Sequence, residues 1–297
     1  MEFLISGVTI NPILLSGIGF LVGILGGFFG VGGGFIAGPL MFLTGMPMNF
    51  VVGTDLAHMT GKSFVAARRH RVLGHVDIKL GLIMVIGTII GVEAGAQLLE
   101  SLKQSGHVDQ FVGWTYVFIM LVIGIFMFIE SLRATQIIRN QRISANEAVG
   151  FKRLSRRINV IRIPPMISFP VSGIRSSLWT VLLVGFFSGA LAGFLGVGGG
   201  VVRMPMLVYI IGVPTHIAIG TDLFAIIFSA GYGTFSHALK GNVDIMIALV
   251  MLTGAAIGAQ IGAISTRNFT GPHIRLLFSF LPFMGAILVA YKLISGG

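Results

Sequence analysis

Two glycine-rich stretches contain the residues whose types and spacing could do chemistry. GFFGVGGGFIAGPL begins at Gly27, and GFLGVGGGVVRMPM begins at Gly193. Consecutive glycines leave backbone N–H groups uncovered, so a run of them can form a concave nest that binds an anion. The candidate anion-binding groups are therefore the amides of two triplets: Gly32, Gly33 and Gly34, and Gly198, Gly199 and Gly200.

The spacings of nucleotide-binding loops do not fit these stretches. A Walker loop that used the GKS at 61–63 would need a glycine at position 56, where the chain has Leu56. The dinucleotide pattern G-x-G-x-x-G fails at its third glycine, which is replaced by Phe35 in the first stretch and by Val201 in the second. We therefore predict no nucleotide site.

Polar and charged residues follow the glycines in both stretches. Asp55 and Asp222 occupy equivalent places in two GTDL motifs, where Thr54 and Thr221 precede them. Threonine hydroxyls can donate hydrogen bonds to an oxyanion, although at helix starts they are commonly caps. Arg203 lies three residues past the second triplet, and we predict that it supplies counter-charge to an anion or a carboxylate.

Two further residues, His58 and Lys62, are four positions apart and share one helical face. We assign them, with the two aspartates, to coupling or counter-charge. The aspartates have alternative roles: they cap helices or pair with Lys62 or Arg203, they carry a coupling proton, they orient the anion-binding groups, or they bind a cation.

Catalytic and metal constellations are absent from the sequence. There is no Ser-His-Asp set, no paired-carboxylate motif and no second His or Cys at a ligand spacing from His58, and the chain has no cysteine. We predict that the chain is not an enzyme and that it has neither a metal nor a cofactor.

The composition indicates which elements must position these residues. Of the 297 residues, 55% are hydrophobic and only 10% are charged, whereas soluble domains carry about 25% charged residues. We predict an all-α polytopic membrane protein embedded in a lipid bilayer. Its eight candidate spans are Ile10–Phe28, Phe50–Val65, Leu80–Leu99, Phe111–Ile129, Leu178–Leu195, Ala218–Phe235, Ile245–Ile264 and Leu276–Ile294.

The chain is an internal duplication. The two glycine stretches align with each other at an offset of 166 residues. The two GTDL motifs align at an offset of 167, and so do GHVDI at 74–78 and GNVDI at 241–245. This divides the chain into a first transmembrane repeat at 1–130, a linker at 131–177 and a second transmembrane repeat at 178–297. The linker carries nine Lys or Arg residues against one acid, Glu147, so the positive-inside rule makes it cytoplasmic. A nucleic-acid partner is not needed to explain its charge.

The glycine stretch favours a hairpin within the membrane. Residues 10–44 would run ~52 Å as one helix, which overshoots a bilayer, whereas 35–44 alone cover ~15 Å. Each repeat is then a Gly-broken helical hairpin followed by three full spans. Because three is an odd number, the second repeat is inserted in the membrane upside down relative to the first. The half-helices beginning near Phe35 and Val201 would point their N–H groups at a shared central anion. The pairs Gly91/Gly95 and Gly258/Gly262 fit close helix packing instead.

The doubled motif, GFFGVGGGFIAGPLMFLTGMP with VGTDL and GFLGVGGGVVRMPMLVYIIGVP with IGTDL, resembles the sulfite exporter TauE/SafE family, also called the toluenesulfonate uptake permeases. The resemblance covers nearly the whole chain except the linker. It implies a multi-pass permease of the cell inner membrane that moves sulfite, a sulfonate or a related sulfur or organic anion, with proton coupling as an option. We expect alternating access of the two repeats. The competing hypothesis is a cation-coupled transporter or a channel that uses Asp55 and Asp222 as ion ligands.

Overall fold

The computed structural model describes residues 2–3, 5–104, 106, 108–141 and 163–295. The helices of this part of the chain are α1 Pro12–Phe29, α2 Gly34–Leu43, α3 Met48–Val72, α4 Ile78–Gln104, α5 Val108–Gln141, α6 Leu178–Leu195, α7 Gly200–Met206, α8 Thr215–Leu239, α9 Ile245–Ser265 and α10 Gly271–Ile294. A π-helical turn, Leu207–Ile211, extends α7. Two short antiparallel hairpins precede α1 and α6: β1 Glu2–Phe3 with β2 Val8–Thr9, and β3 Met166–Phe169 with β4 Ile174–Ser177.

Seven of these helices (α1, α4, α5, α6, α8, α9 and α10) are long and apolar enough to cross a membrane. The prediction of an all-α polytopic membrane protein is confirmed. The eighth predicted span corresponds to α3, which has 25 residues, the same length as α8, but a much lower hydrophobicity. It is the helix that carries Asp55, His58 and Lys62.

The glycine stretches break their helices as predicted. In the first repeat α1 ends at Phe29 with Gly30 as its C-cap. Gly32 and Gly33 have φ angles of 71° and 75°, a left-handed backbone that glycine adopts without a steric penalty. The second repeat has the same break between α6 and α7. A ten-residue helix, α2, then runs back alongside α3 over ~15 Å, about half a bilayer.

Glycine stripes join the two repeats. A Cβ atom added to Gly91 or Gly95 of α4 would lie 2.1 Å from a backbone oxygen of α6. Likewise, a Cβ on Gly258 or Gly262 of α9 would lie 2.2 or 2.0 Å from a backbone oxygen of α1. The prediction that these glycines permit close helix packing is confirmed. The helices α1 and α6, which precede the glycine turns, thus each pack on a helix of the other repeat, and these contacts interlock the two halves.

The central helices α3 and α8, which are equivalent in the duplication, pack against each other and run in opposite directions. The start of α3 meets the end of α8, since Thr54 Oγ1 accepts a hydrogen bond from the Asp244 amide at 2.9 Å. The end of α3 meets the start of α8, because His70 packs against Gly220. The same threonine contact recurs in the other repeat, where Thr221 Oγ1 accepts from the Asp77 amide at 2.9 Å.

Each β-hairpin lies at one of these two threonine contacts, which form two equivalent corners of the structure. Ser6 donates from its amide and its hydroxyl to Asp244 Oδ2, and Ser172 donates in the same way to Asp77 Oδ2. The β3–β4 hairpin is therefore the counterpart of β1–β2, although the sequence prediction assigned it to the linker at 131–177. Residues 142–162 of that linker lie outside the described residues.

Candidate functional site

Five ionisable side chains are buried beside the glycine turns. Asp55, His58 and Lys62 lie on one face of α3, Arg203 lies on α7 and Asp222 lies on α8. None of them is more than 1% exposed. Charged groups inside a membrane are costly unless they are paired, and they mark functional positions by default. Their partners therefore define the candidate site.

The first cluster is a linear chain along α3. Lys62 Nζ lies 2.8 Å from His58 Nε2, and His58 Nδ1 lies 3.0 Å from Asp55 Oδ1. An ammonium group has only donors, so His58 Nε2 accepts from it, which leaves Nδ1–H to donate to the carboxylate. A neutral imidazole thus links the cation of Lys62 to the anion of Asp55.

The second cluster is a direct ion pair. Arg203 Nη1 donates to Asp222 Oδ1 at 3.0 Å, and Arg203 Nε donates to the Ser188 hydroxyl at 3.0 Å. Asp222 therefore pairs with Arg203, whereas Asp55 contacts His58 and is linked to Lys62 only through that residue. Arg203 Nη2 and Asp222 Oδ2 are both buried without a hydrogen-bond partner.

Both cations lie against the glycine turns at equivalent places. A Cβ on Gly33 would be 3.2 Å from Lys62 Nζ, and a Cβ on Gly199 would be 2.9 Å from Arg203 Nη2. The two aspartates repeat the pattern one residue later. A Cβ on Gly34 would be 2.8 Å from Asp55 Oδ2, and a Cβ on Gly200 would be 2.8 Å from Asp222 Oδ2.

The alignment of the two repeats did not reveal this equivalence. It pairs Lys62 with Ser229 and Arg203 with Ala37, so each cation has a neutral counterpart. In the structure the two head groups reach matching points from different elements, Lys62 from α3 and Arg203 from α7. Only a search for cations near either triplet, regardless of alignment, could have found it.

The two glycine turns contact each other. A Cβ on Gly34 would lie 2.9 Å from Val197 Cα, and a Cβ on Gly200 would lie 2.6 Å from Val31 Cα. The point between the turns, where the sequence suggested a shared anion, is filled by the side chain of Met59. The arrangement is therefore two half-sites, each with a glycine turn, a cation and a carboxylate, on either side of an apolar contact.

A histidine cluster at one end of the repeats was not assigned from the sequence. His70 Nδ1 lies 3.4 Å from His75 Nδ1, and the rings of His75 and His216 are 5.2 Å apart. The equivalent corner at the other end has asparagines in place of the latter two, and Asn49 Nδ2 donates to Asn242 Oδ1 at 3.0 Å. Mapping the three histidines through the duplication would have shown this difference.

Metal binding finds no support in this part of the chain. Among the residues that the structure describes, no group of three or more His, Cys, Asp or Glu side chains is arranged to hold a metal ion. The ionisable groups of the half-sites are bound to one another instead.

Comparison with known proteins places the chain in a family. The family profile described as "Sulfite exporter TauE/SafE" matches residues 15–289, which include both glycine turns and all five buried ionisable residues. The chain belongs to the TauE/SafE family. The resemblance predicted from the doubled glycine motif is confirmed, and this TauE/SafE protein is a multi-pass membrane protein of a family of membrane transporters.

Relatives of this TauE/SafE protein bear transporter names in both bacteria and archaea. "Probable membrane transporter protein YunE" of Bacillus subtilis is 26% identical over 96% of this chain and 98% of its own length. A protein of Methanocaldococcus jannaschii, also called a "Probable membrane transporter protein", is 24% identical over 94% of this chain and 95% of its own length. No solved structure matches the chain significantly.

Proposed function

We propose that the protein is a secondary transporter of a small anion, most simply sulfite, a sulfonate or a related sulfur or organic anion. The observation that carries this proposal is the pair of buried cations, Lys62 and Arg203, each against a glycine turn at the start of a half-helix. A buried cation, the N–H groups at a helix start and the positive end of a helix dipole all favour a negative ligand.

Each half-site would bind the anion through the amides of its glycine triplet and its cation. The first uses Gly32–Gly34 with Lys62, and the second uses Gly198–Gly200 with Arg203. Thr54 and Thr221 stay predicted hydrogen-bond donors to the anion. Each hydroxyl oxygen accepts a backbone hydrogen bond between the repeats.

Proton coupling follows from the balance of buried charge. Lys62 and Arg203 are balanced by Asp55 and Asp222, so an anion that enters this site adds an uncompensated negative charge. A proton taken up at the same time would restore neutrality at low cost. Asp55 and Asp222 are the two candidate acceptors in this proposal: Asp55 contacts His58, and Asp222 is held by Arg203.

Alternating access would come from movement of one repeat against the other. One observation supports inverted repeats: the equivalent helices α3 and α8 run in opposite directions. With the basic linker in the cytoplasm, both chain termini face outside the inner membrane. Reporter tags test this orientation, and a cytoplasmic C-terminus contradicts it.

A cation-coupled transporter or channel is the second candidate. It is favoured by Asp222 Oδ2, a buried carboxylate oxygen without a hydrogen-bond partner that faces the turn at Gly200. This function predicts that Na⁺ raises the melting temperature of the purified protein and that Asp222→Asn removes the effect. The anion proposal predicts equal melting temperatures in sodium and choline chloride.

The test of the main proposal is a thermal-shift panel on the purified protein. Sulfite, sulfate, thiosulfate, taurine, sulfoacetate and simple carboxylates are compared at one ionic strength with chloride as the reference. Specific binding raises the melting temperature by mass action. Stabilisation by at least one sulfur anion is expected, and no shift with any anion would contradict the proposal.

A further inference from the structure

Met59 fills the contact between the two half-sites. A Cβ added to Gly32 would lie 2.3 Å from Met59 Cε, and a Cβ added to Gly198 would lie 2.2 Å from the same methyl group. The side chain therefore touches both glycine turns at once. Met59 is fully buried in a small apolar cluster with Leu56, Ile226 and Ala230, apart from the main hydrophobic core.

The residue that corresponds to Met59 in the second repeat has a more rigid side chain. At the offset of 167 residues Met59 corresponds to Ile226, and the two side chains meet between the turns. Isoleucine is branched at Cβ and has one strongly preferred χ1 rotamer in a helix. Methionine is unbranched with three rotatable bonds, so it can leave the gap by side-chain rotation alone.

We propose that Met59 is the movable barrier between the half-sites and that it sets the largest anion the protein accepts. The inference rests on the proposed anion transport. The oxyanion head of the substrate would bind a glycine turn and its cation, and the rest of the substrate would face Met59 and Ile226. Both side chains are apolar, so the substrate is an anion, such as a sulfonate, whose apolar tail is limited by the room that Met59 vacates.

Opening of the contact around position 59 can be measured without knowing the substrate. The chain has no cysteine, so Met59→Cys introduces the only thiol. A negatively charged methanethiosulfonate reagent is added to the full-length protein in proteoliposomes. Met127→Cys is the matched control, because Met127 is also 0% exposed but lies on α5, outside the site.

The expected result is that the thiol at 59 reacts at least about tenfold faster than the thiol at 127, because the contact between the two glycine turns opens locally. Equal, slow reaction at both positions would overturn the movable barrier. This outcome is separate from failure of the proposed function, in which no anion stabilises the wild-type protein although the thiol at 59 still reacts.

The size limit is tested with two sulfonates that differ only in their tails. Uptake of methanesulfonate and of benzenesulfonate is measured for the wild type, Met59→Ala and Met127→Ala. Both substitutions remove the same buried atoms, so they separate site volume from general loosening. Met59→Ala should raise the benzenesulfonate-to-methanesulfonate rate ratio about tenfold or more, the scale on which apolar pockets discriminate, while Met127→Ala leaves it unchanged.

An unchanged ratio in Met59→Ala, or an equal rise in both variants, would contradict the assignment. A third variant, Met59→Ile, places the stiff residue of the partner repeat at this position. It should lower the uptake of both sulfonates while thermal stabilisation by methanesulfonate persists. Wild-type uptake in Met59→Ile would show that the flexibility of Met59 is not used.

Discussion

Lys62 and Arg203 bring one positive charge each to equivalent points of the two glycine turns, yet they are not equivalent residues in the duplication. Lys62 reaches its carboxylate through His58, whereas Arg203 binds its carboxylate directly. A guanidinium stays charged under all working conditions, and a buried lysine can exchange its proton. At the residue scale the two half-sites are therefore alike in position and different in chemistry.

Replacing either cation should weaken anion binding. In Arg203→Gln or Lys62→Gln the glycine turn keeps its amides but loses a charge-assisted hydrogen bond, which contributes about 1.5–3 kcal/mol. The dissociation constant of the best anion from the thermal-shift panel should rise about tenfold or more in each variant. Unchanged affinity in both would remove the two cations from the site.

The Arg203–Asp222 pair should also contribute to stability. Removing one partner of a buried ion pair leaves an uncompensated charge and costs about 3–5 kcal/mol. We expect Asp222→Ala to lower the melting temperature strongly. Ser188→Ala removes only the hydrogen bond to Arg203 Nε and should cost about 1–3 kcal/mol. Equal losses in the two variants would mean that Asp222 is not the main partner of Arg203.

At the scale of elements, the interlocked repeats depend on helices that touch backbone to backbone. In α1 the glycines 19, 23 and 27 lie against the chain of α9, and the same contact is repeated between α6 and α4. Without a hydrophobic driving force between helices in lipid, such close approach supplies van der Waals packing. The two glycine turns therefore follow helices that are packed backbone to backbone.

A pair of alanine substitutions in α1 tests this packing. A Cβ on Gly23 would lie 2.4 Å from the Ala255 oxygen, whereas a Cβ on Gly17 meets nothing within 4 Å. Gly23→Ala should destabilise the protein by about 1–3 kcal/mol or more, as overpacking does. Gly17→Ala, in the same helix, should be neutral or slightly stabilising. Melting temperatures in detergent would contradict the model of close contact if both variants behave alike.

The histidine corner should make stability depend on pH. Burial, and then the neighbouring His216, lower the pKa of His75 below its ordinary value. The folded protein thus holds fewer protons here than the unfolded chain, so stability falls as pH drops below about 6.5. His75→Asn copies Asn242 of the other corner and should reduce the loss in melting temperature between pH 7.5 and 5.5. An equal loss in variant and wild type would locate the acid sensitivity elsewhere.

At the scale of the whole molecule, the sequence was sufficient for the features that repeat. Glycine spacing, apolar length and the duplication predicted the broken helices, the spans and the family. The sequence could not show that Lys62 and Arg203 meet matching turns, because that depends on how α3 and α7 pack. It also left the midpoint open for an anion, since nothing in the local pattern distinguishes Met59 from an ordinary core residue.

Because the core is packed, the proposed transport requires movement of the protein. All five ionisable side chains of the half-sites are buried, so an anion can reach them only when packed elements separate. In the proposed mechanism, the repeats separate at one end while the other end stays closed. The two ends carry different contacts, histidines at one and asparagines at the other, so each can respond to different conditions.

Anion flux through the purified protein tests the central claim most directly. The protein is reconstituted in liposomes, a proton gradient is imposed, acidic on the outside, and uptake of sulfite and methanesulfonate is followed. We predict accumulation that collapses with the gradient and is lost when Lys62 and Arg203 are both replaced by glutamine. Flux equal to that of empty liposomes for every sulfur anion, or flux that persists without both cations, would contradict the account.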